Sequence, residues 1–364
     1  MSKLRLCLIF GGQSAEHAVS LESAKNVFEA LDPNKYEVHL VGIDKSGAWK
    51  YFEDPAFLRK TDVSKPIDLN EIKNQVFIVP GEKRGQASII GIRSPKNYGT
   101  VDMIFPITHG PYGEDGTMQG YLRTLGVPYV GCGILGSATG MDKDVAKRLF
   151  KEAGLPVGKF AVLKRHNSSA KDFDRLKAEL GLPFFLKPAN MGSSVGVHKV
   201  DSAQKFEAAL KDAFQYDTKL LVEEFLPGRE VECSVLGNEK PSASTPGEIV
   251  PQHDFYSYDA KYLDDNGALL KIPAELTPQQ AQEVKTLAIK VYETLCCDGM
   301  SRVDFFLRKD GKLFVNEVNT IPGFTKISMY PKMWNQDGIG YADLIDRLIE
   351  LASSRYATEQ SLSR

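Results

Sequence analysis

The chain has 364 residues and a formal net charge of −2, from 45 Lys plus Arg against 47 Asp plus Glu. A chain of this length is expected to form about two or three domains. The near balance of charge argues against nucleic acid or an anionic membrane as the main partner. The five cysteines include no Cys-x-x-Cys pair, and the first residues enter a strand without an apolar leader. We therefore expect a cytoplasmic protein that binds neither nucleic acid nor a membrane.

The first third of the chain has the pattern of a parallel α/β domain. Residues 6–10 form a continuous apolar run, typical of a strand buried on both faces, and end at a Gly-Gly-Gln-Ser turn. A helix follows, then strands at 38–43 and 101–106, the last of which leads into a glycine-rich loop at 109–116. Sheets of this kind bind ligands at the carboxyl ends of their strands. Residues 52–98 have a weak pattern, which we interpret as a peripheral excursion.

The rest of the chain alternates between predicted helices and strands. The helix that begins at Thr277 has Pro278 in its first turn and Gln280 three residues on, which is a capping-box pattern. The predicted elements are a helix at 142–153, strands at 160–163 and 184–187 around a helix at 170–180, strands at 197–200 and 219–224, a helix at 277–297, a hairpin at 301–319 and a helix at 342–353.

The predicted hairpin contains Asp310-Gly311 between two β-rich runs, a pattern that favours a two-residue type I′ turn. Such a turn pairs Lys309 with Lys312, and the register then places Asp304 opposite Glu317. The same register places Arg302 opposite Asn319 and Phe305 opposite Asn316, and it directs Val303, Phe305, Phe314 and Val318 to the core.

Two directly opposed carboxylates repel, because their Cβ atoms lie about 5 Å apart. A divalent cation removes that repulsion, and two carboxylates with an amide suit a hard ion such as Mg²⁺, with phosphates and water completing its shell. The hairpin therefore predicts a magnesium site at Asp304, Glu317 and Asn319. The alternative is a solvated polar face in which Arg302 bridges the acids.

Six spaced motifs occur in one order from residue 109 to residue 323. They are His109-Gly110 with Gly113-Glu114-Asp115-Gly116-Thr117, Met141-Asp142-Lys143, Lys187-Pro188 with Gly192-Ser193-Ser194-Val195-Gly196, Tyr258-Asp259-Ala260-Lys261-Tyr262, Arg302-Val303-Asp304, and Asn316-Glu317-Val318-Asn319-Thr320 with Pro322-Gly323. Together with Gly11–Glu16 and Ser328, they make nearly the whole chain resemble the D-alanine–D-alanine ligases of the ATP-grasp superfamily.

This resemblance implies an amino-terminal parallel α/β domain followed by the two-domain ATP-grasp fold. The substrate-binding domain is expected at residues 1–132, the central ATP-grasp subdomain at 133–222, and the carboxy-terminal subdomain with the metal site at 223–364. The implied activity joins two D-alanines with ATP through a D-alanyl phosphate, and it releases ADP and phosphate for peptidoglycan synthesis. A homodimer is the family expectation.

The resemblance also implies the nucleotide and metal sites. Lys143 and Lys187 would hold the ATP phosphates, helped by backbone N–H groups of the loop with Ser193 and Ser194. Where similar sequences often have Glu-Lys, this chain has Glu-Glu at 223–224, so only the backbone of Glu224 could still serve. Further implied contacts are Glu223, Glu224, Phe225 and Leu226 along the adenine, Glu230 at the ribose, and Lys261 at the γ-phosphate from a mobile loop at 253–267. The resemblance also implies two Mg²⁺ or Mn²⁺ ions at Asp304, Glu317 and Asn319.

The first D-alanine would be held by a hydrogen-bonded triad of Glu16, Ser193 and Tyr262, with Glu16 anchoring its ammonium group. The same triad could help to deprotonate the second amine, and the base stays unassigned. His109 follows a parallel strand, and it either lines this pocket or is a structural histidine.

For the second substrate, the resemblance implies that Ser328 and Lys261 meet its carboxylate. Arg302 would hold the transferred phosphoryl group and the oxyanion, and Gly323 would donate a backbone N–H to that oxyanion. Tyr262 is associated in this family with D-alanine, rather than a hydroxy acid, as the second substrate.

Three other functions compete with this interpretation of the motifs. A ligase that makes D-alanyl-D-lactate or D-alanyl-D-serine shares the same motifs and stays open. A dinucleotide-binding dehydrogenase does not fit, because the first glycine turn lacks the Gly-x-Gly-x-x-Gly pattern. A non-catalytic ATP sensor is disfavoured, because Lys187, Arg302, Asp304 and Glu317 are all present.

Overall fold

The computed structural model describes residues 2–55, 57–60, 69, 72–251 and 268–363. The strands are β1 (Leu4–Gly11), β2 (Tyr36–Ile43), β3 (Trp49–Phe52), β4 (Val76–Pro80), β5 (Ala87–Gly91), β6 (Asn97–Val101), β7 (Met103–Pro106), β8 (Phe160–Lys164), β9 (Phe184–Pro188), β10 (His198–Val200), β11 (Lys219–Glu224), β12 (Gly228–Gly237), β13 (Ser242–Ala243), β14 (Gly247–Pro251), β15 (Ala268–Lys271), β16 (Gly299–Arg308) and β17 (Leu313–Asn319). The helices are α1 (His17–Ala30), α2 (Phe57–Lys60), α3 (Thr117–Leu125), α4 (Ile134–Met141), α5 (Lys143–Glu152), α6 (Asp172–Leu180), α7 (Ala203–Ala213), α8 (Pro278–Thr294), α9 (Met329–Gln336) and α10 (Tyr341–Ser361).

The amino-terminal sheet has the strand order β3-β2-β1-β7, and β1 is parallel to both β2 and β7. Its central strand is fully buried from Leu6 to Phe10, because the sheet is covered on both faces. The predicted parallel α/β domain is therefore confirmed. The chain leaves β1 and β7 at the same edge of this sheet, and both exits lead into the site described below.

Residues 76–101 contain a three-stranded antiparallel sheet, β4-β5-β6, within the segment that the sequence led us to interpret as peripheral. That interpretation is wrong for these residues. Ile78 and Ile89 are buried and pack in one apolar cluster with Cys7 and Ile9 of β1. The strands are only five residues long, so their alternation gave too short a signal to recognise.

Two further sheets follow. The first is antiparallel, with the order β10-β9-β11-β8, and α6 and α7 pack on it around Phe173 and Phe206. The second has the order β15-β14-β12-β16-β17, with β13 paired to β12, and α8 covers it. The predicted capping box is confirmed, since the Thr277 amide donates to Gln280 Oε1 at 3.0 Å and the Gln280 amide to Thr277 Oγ1 at 3.2 Å.

The last helix, α10, is longer than predicted and returns to the amino-terminal sheet. Its Arg355 guanidinium donates to the carbonyls of Tyr129 and Gly131 at 2.8 and 2.6 Å, and the Tyr356 hydroxyl donates to the Gly126 carbonyl at 2.8 Å. Within the described ranges, no helix has the length and apolar character needed to cross a membrane.

Candidate functional site

A cavity of about 400 Å³ opens where the β16–β17 hairpin meets the loops that follow β1 and β7. It gathers side chains that are up to 316 positions apart in sequence, from Glu16 to Lys332. The predicted site residues that line it are Glu16, His109, Ser193, Glu230, Arg302, Asp304, Glu317, Asn319, Gly323 and Ser328. Lys261 and Tyr262 lie outside the described residues.

The β16–β17 hairpin places Asp304 opposite Glu317 and Arg302 opposite Asn319, as predicted. The predicted two-residue turn is wrong. The Arg308 amide donates to the Lys312 carbonyl at 3.0 Å, so the loop has three residues, 309–311. The last of them is a glycine with a left-handed φ of +83°.

A bulge at Asn316 restores the register that the longer loop shifts by one residue. Phe305 pairs with Val315 instead of Asn316, and the pairing then jumps to Asp304 with Glu317. The prediction that Phe314 packs in the core is wrong for the same reason. Leu313 and Val315 are the buried residues on that side of the bulge.

Three carboxylates stand in a row across adjacent strands, because Glu232 of β12 lies opposite Asp304, which lies opposite Glu317. Arg302 bridges the first two of them. Its Nε lies 2.9 Å from Glu232 Oε2, and its Nε and Nη2 donate to the two oxygens of Asp304 at 2.7 Å each. Glu232 was not predicted from the sequence, although its spacing of two from Glu230 places both carboxylates on the same face of β12.

The donor set fits a hard divalent cation. Asn319 Nδ2 donates to Asp304 Oδ2 at 3.0 Å, which leaves the amide oxygen of Asn319 available as a ligand beside the two carboxylates. Within the described part of the chain, no group of three His, Cys, Asp or Glu residues is arranged to hold a metal. Two carboxylates and an amide therefore leave most positions around a cation to phosphate and water oxygens.

A buried ionic triad lies behind the hairpin. Glu223 is paired with Lys187 at 2.6 Å and with Lys147 at 2.8 Å. Burial alone would raise the pKa of Glu223, but the two ammonium groups outweigh it and lower that pKa to about 2. Burial lowers the pKa of Lys147, against the opposing charge of Glu223. The sequence analysis missed Lys147, whose signal is its spacing of four from Lys143 on one helix face.

Lys143 lies at the start of α5, which Asp142 caps by accepting the Val145 amide. The Lys143 ammonium donates to the Met191 carbonyl at 2.7 Å and lies 3.5 Å from Glu317 Oε2. Lys143 therefore connects the carboxylate face of the hairpin with the glycine-rich loop that follows β9. In that loop Ser193, Ser194 and Gly196 all have positive φ.

The carboxylate of Glu16 lies between two glycines. The Ser193 hydroxyl donates to Glu16 Oε1, which is one bond of the expected triad. The third member of that triad, Tyr262, lies outside the described residues. A Cβ atom at Gly110 would lie 2.5 Å from Glu16 Oε2, and one at Gly192 would lie 2.7 Å from the same atom. Only glycine allows both loops to approach Glu16 this closely.

His109 lines the cavity, but both of its ring nitrogens have protein partners. Nδ1 lies 2.9 Å from the Ile321 carbonyl, and Nε2 lies 3.3 Å from Ser23 Oγ. Burial lowers the pKa of His109, so the neutral ring donates through Nδ1–H and accepts at Nε2. This arrangement favours the structural alternative for His109.

Glu114 is a half-buried carboxyl group at the rim of the cavity, and its place in the Gly113–Thr117 motif gave no sign of its role. Its two oxygens accept the amides of Gly110 and Ile321, each at 2.8 Å. Burial, with the charge of Glu16 adding to it, raises the pKa of Glu114, while the two backbone amides oppose that shift.

The remaining nucleotide residues lie near the end of β11. Glu224 Oε1 accepts the Lys159 amide at 2.7 Å, so this side chain is engaged with the backbone of the loop that precedes β8. Phe225 is 40% exposed and its ring centre lies 5.9 Å from that of Phe185. Leu226 Cδ1 lies close to Gly158, where a Cβ atom would approach it to 3.0 Å.

One sheet carries Lys187 and the glycine-rich loop that follows β9, and the other carries the opposed carboxylates of Asp304 and Glu317. This arrangement is typical of an ATP-grasp ligase, and comparisons with known proteins agree. The family models "D-ala D-ala ligase N-terminus" and "D-ala D-ala ligase C-terminus" match residues 5–132 and 149–350. The chain is 51% identical over 360 residues to the D-alanine–D-alanine ligase of Oceanobacillus iheyensis, covering 99% of this chain and 98% of the relative. It is 48% identical over 362 residues to D-alanine–D-alanine ligase A of Escherichia coli K12, covering 100% and 99%.

Solved structures give the same result. The D-alanine–D-alanine ligase of Coxiella burnetii superposes with a TM-score of 0.87 at 36% identity, covering 99% of this chain and 97% of that one. The VanG D-Ala:D-Ser ligase of Enterococcus faecalis superposes with a TM-score of 0.83 at 36% identity, covering 96% and 100%. The chain belongs to the D-alanine–D-alanine ligase family.

Proposed function

We propose that the protein joins two D-alanine molecules to D-alanyl-D-alanine at the expense of ATP, through a D-alanyl phosphate intermediate, for peptidoglycan synthesis. The family match over both halves of the chain supports this activity. The observation that carries the proposal is that Arg302, Asp304 and Glu317 line one cavity with Glu16. Groups for phosphoryl transfer and for an amino acid ammonium therefore face the same space.

In the first step, a carboxylate oxygen of the first D-alanine attacks the γ-phosphorus of ATP, and the bond to the bridging oxygen breaks to release ADP. Lys143 and Lys187 neutralise the phosphates, and the N–H groups at Ser193 and Ser194 approach their oxygens. The adenosine is held by Glu223, the backbone of Glu224, Phe225, Leu226 and Glu230, with Lys261 reaching the γ-phosphate.

Asp304, Glu317 and Asn319 would hold magnesium or manganese, and we propose two ions. When bound, the metal supplies positive charge that stabilises the phosphate oxygens during transfer. Arg302 keeps its guanidinium on the same strand face, 2.7 Å from Asp304, where it can hold the transferred phosphoryl group.

In the second step, the amine of the second D-alanine attacks the acyl carbon, and the carbon–oxygen bond to phosphate then breaks. Negative charge develops on the former carbonyl oxygen, where Arg302 and the Gly323 N–H would stabilise it. Glu16, Ser193 and Tyr262 keep the first residue in place, with the base unassigned. Ser328, which accepts the Thr325 amide at 2.9 Å, would meet the second carboxylate with Lys261.

A second candidate is ligation of D-alanine to D-serine, which the likeness to the VanG ligase brings into consideration, or to D-lactate. Tyr262 favours D-alanine as the second substrate. Competition among D-alanine, D-serine and D-lactate across pH separates these products by mass. A change of Tyr262→Phe should shift the ratio toward the hydroxy acid, and an unchanged ratio would count against this role of Tyr262.

The test of the activity is ADP release by the purified protein, with each component omitted in turn. We expect release only when D-alanine and Mg²⁺ are both present, with one dipeptide formed per ADP. Turnover without D-alanine, or none with all components, would refute the ligase assignment.

We also propose three domains, at residues 1–132, 133–222 and 223–364, and a homodimer. The separate family models for the two ends of the chain support the first boundary. Light scattering during size-exclusion chromatography tests the dimer. A mass equal to the single 40.3 kDa chain would contradict it.

A further inference from the structure

The peptide of Ile321 is held at both of its polar atoms by the loop that follows β7. Its N–H donates to Glu114 Oε1 at 2.8 Å, and its carbonyl accepts from His109 Nδ1 at 2.9 Å. Ile321 directly precedes Pro322 and Gly323. The backbone that carries the proposed oxyanion donor is therefore fixed by side chains that are more than 200 positions away in sequence.

The other end of the same turn is also held from the amino-terminal region. The Phe324 amide donates to Ser23 Oγ at 3.1 Å, and the Phe324 carbonyl accepts from Asn26 Nδ2 at 3.1 Å. Ser23 Oγ in turn lies 3.3 Å from His109 Nε2, the acceptor nitrogen of the ring. These bonds form a closed ring through Ser23, His109 and both ends of residues 321–324, with Gly323 inside it.

Glu114 connects this ring to the first-substrate anchor. Its second oxygen accepts the Gly110 amide at 2.8 Å, and Gly110 is the residue whose Cβ would come within 2.5 Å of Glu16 Oε2. One carboxyl group thus sets the position of two backbone segments, one beside Glu16 and one beside Gly323. The neighbouring Asp115 has a different, local task, since it accepts the amides of Tyr112 and Thr117 at 2.8 and 2.9 Å.

We infer that Glu114 is a positioning residue for the ligation, which holds the Gly323 turn at a fixed distance from Glu16 and so aligns the oxyanion donor with the bound first amino acid. The inference rests on the proposed function. Glu114 itself transfers no proton and contacts no substrate in this role. It acts because both backbone amides lose their acceptor together when the carboxyl group is removed.

The principal test compares Glu114→Ala with the wild type in steady-state kinetics. A displacement of about 1 Å at a reacting centre can cost about 100-fold in rate, so we expect kcat to fall between about 10-fold and 100-fold. The KM for ATP should stay within about twofold, because Lys143 and Lys187 are held by other contacts. A general loss of stability would lower only the fraction of active molecules. The kcat per active site would then equal that of the wild type, so active sites must be counted before the two proteins are compared.

Glu114→Gln is the conservative variant. Its amide oxygen can accept one of the two backbone N–H groups, so its kcat should lie between those of the wild type and Glu114→Ala. Asp44→Ala is the matched control, because Asp44 lies on the loop that follows β2 of the amino-terminal sheet and, like Glu114, accepts two backbone amides, those of Ser46 and Ala48 at 2.9 and 3.0 Å. Its kcat per folded molecule should equal that of the wild type.

A double variant tests whether both ends of the ring act on one turn. Ser23→Ala releases the Phe324 end, and its effect should be less than multiplicative with that of Glu114→Gln, because either change frees the same segment. A wild-type protein without D-alanine-dependent turnover would refute the proposed function. An active wild type with an unchanged kcat in Glu114→Ala, or strictly multiplicative effects in the double variant, would overturn the role of Glu114 alone.

Discussion

Asp304 and Glu317 face each other across β16 and β17 because two departures from a regular hairpin cancel. The loop is one residue longer than a type I′ turn, and the bulge at Asn316 takes up the difference. The opposed carboxylates then lie on the cavity side with Arg302 and Asn319. The hairpin therefore brings two negative charges to one point beside the cavity.

Asp304→Asn and Glu317→Gln should each lower kcat by at least about 100-fold while the protein stays folded, because each removes one negative charge that would balance a divalent cation. When Mg²⁺ is titrated in the presence of ATP, the residual turnover of either variant should need a higher Mg²⁺ concentration to reach half of its maximum. Asp310→Asn, at the exposed end of the same hairpin, is the control. Wild-type rates in either of the first two variants would rule out the metal site.

Gly110→Ala should lower kcat/KM for D-alanine by at least about tenfold, because the new Cβ would lie 2.5 Å from Glu16 Oε2. Gly126→Ala provides a control for the backbone. The φ values are +72° at Gly110 and +69° at Gly126, and a Cβ at Gly126 meets nothing within 4 Å. Each substitution costs about 1 kcal/mol of strain. Equal activity losses in the two variants would show that strain, and not the approach to Glu16, is responsible.

Lys147→Met should raise the KM for ATP by about three- to tenfold, because Glu223 would lose one of the two ammonium groups that orient its carboxylate. The KM for D-alanine should not change. Lys151→Met, one turn further along α5 and exposed, removes a charge of the same kind without touching Glu223. The prediction fails if both variants change the nucleotide KM alike.

Glu223→Gln should make stability respond differently to acid. The pKa of Glu223 is lowered from 4.5 to about 2, so the stabilisation by its carboxylate is present above pH 4.5 and is lost as the pH falls toward 2. We expect the wild type to exceed the variant by about 3 kcal/mol at pH 7. Urea unfolding between pH 7 and pH 3 should show this difference shrinking below pH 4.5. A difference independent of pH would contradict the ionic role.

Much of the molecule could be predicted because its signals are local or periodic. The buried run at Leu6–Phe10 and the Thr277 capping box each give a strong pattern in a few residues, and both are confirmed. The spaced motifs with Arg302 and Glu317 likewise indicated the family. The assignments of individual site residues remain predictions, although most of those described line a single cavity.

The rest could not be predicted, because it depends on contacts between distant segments or on small irregularities. The bulge at Asn316 has no local sequence signal. The two-residue turn expected from Asp310-Gly311 would pair Asp304 with Glu317 without a bulge, so the sequence offered no reason to expect one. Glu114 and Ile321 are 207 positions apart, and no periodic pattern connects them. Short strands such as β4 and β5 depend for their burial on a sheet that the chain forms elsewhere.

The return of α10 to the amino-terminal sheet has a consequence for how the protein is made. Leu6 and Leu8 of β1 share one apolar cluster with Leu344 and Ile345, and Arg355 binds carbonyls beside α3 and α4. The strands that pair with β1, namely β2 and β7, are made early, but this face of the sheet gains its α10 neighbours only after Leu344 and Ile345 have been synthesised. Until then the part of the apolar face that α10 covers stays exposed, and a nascent chain stalled before residue 344 should bind chaperones there.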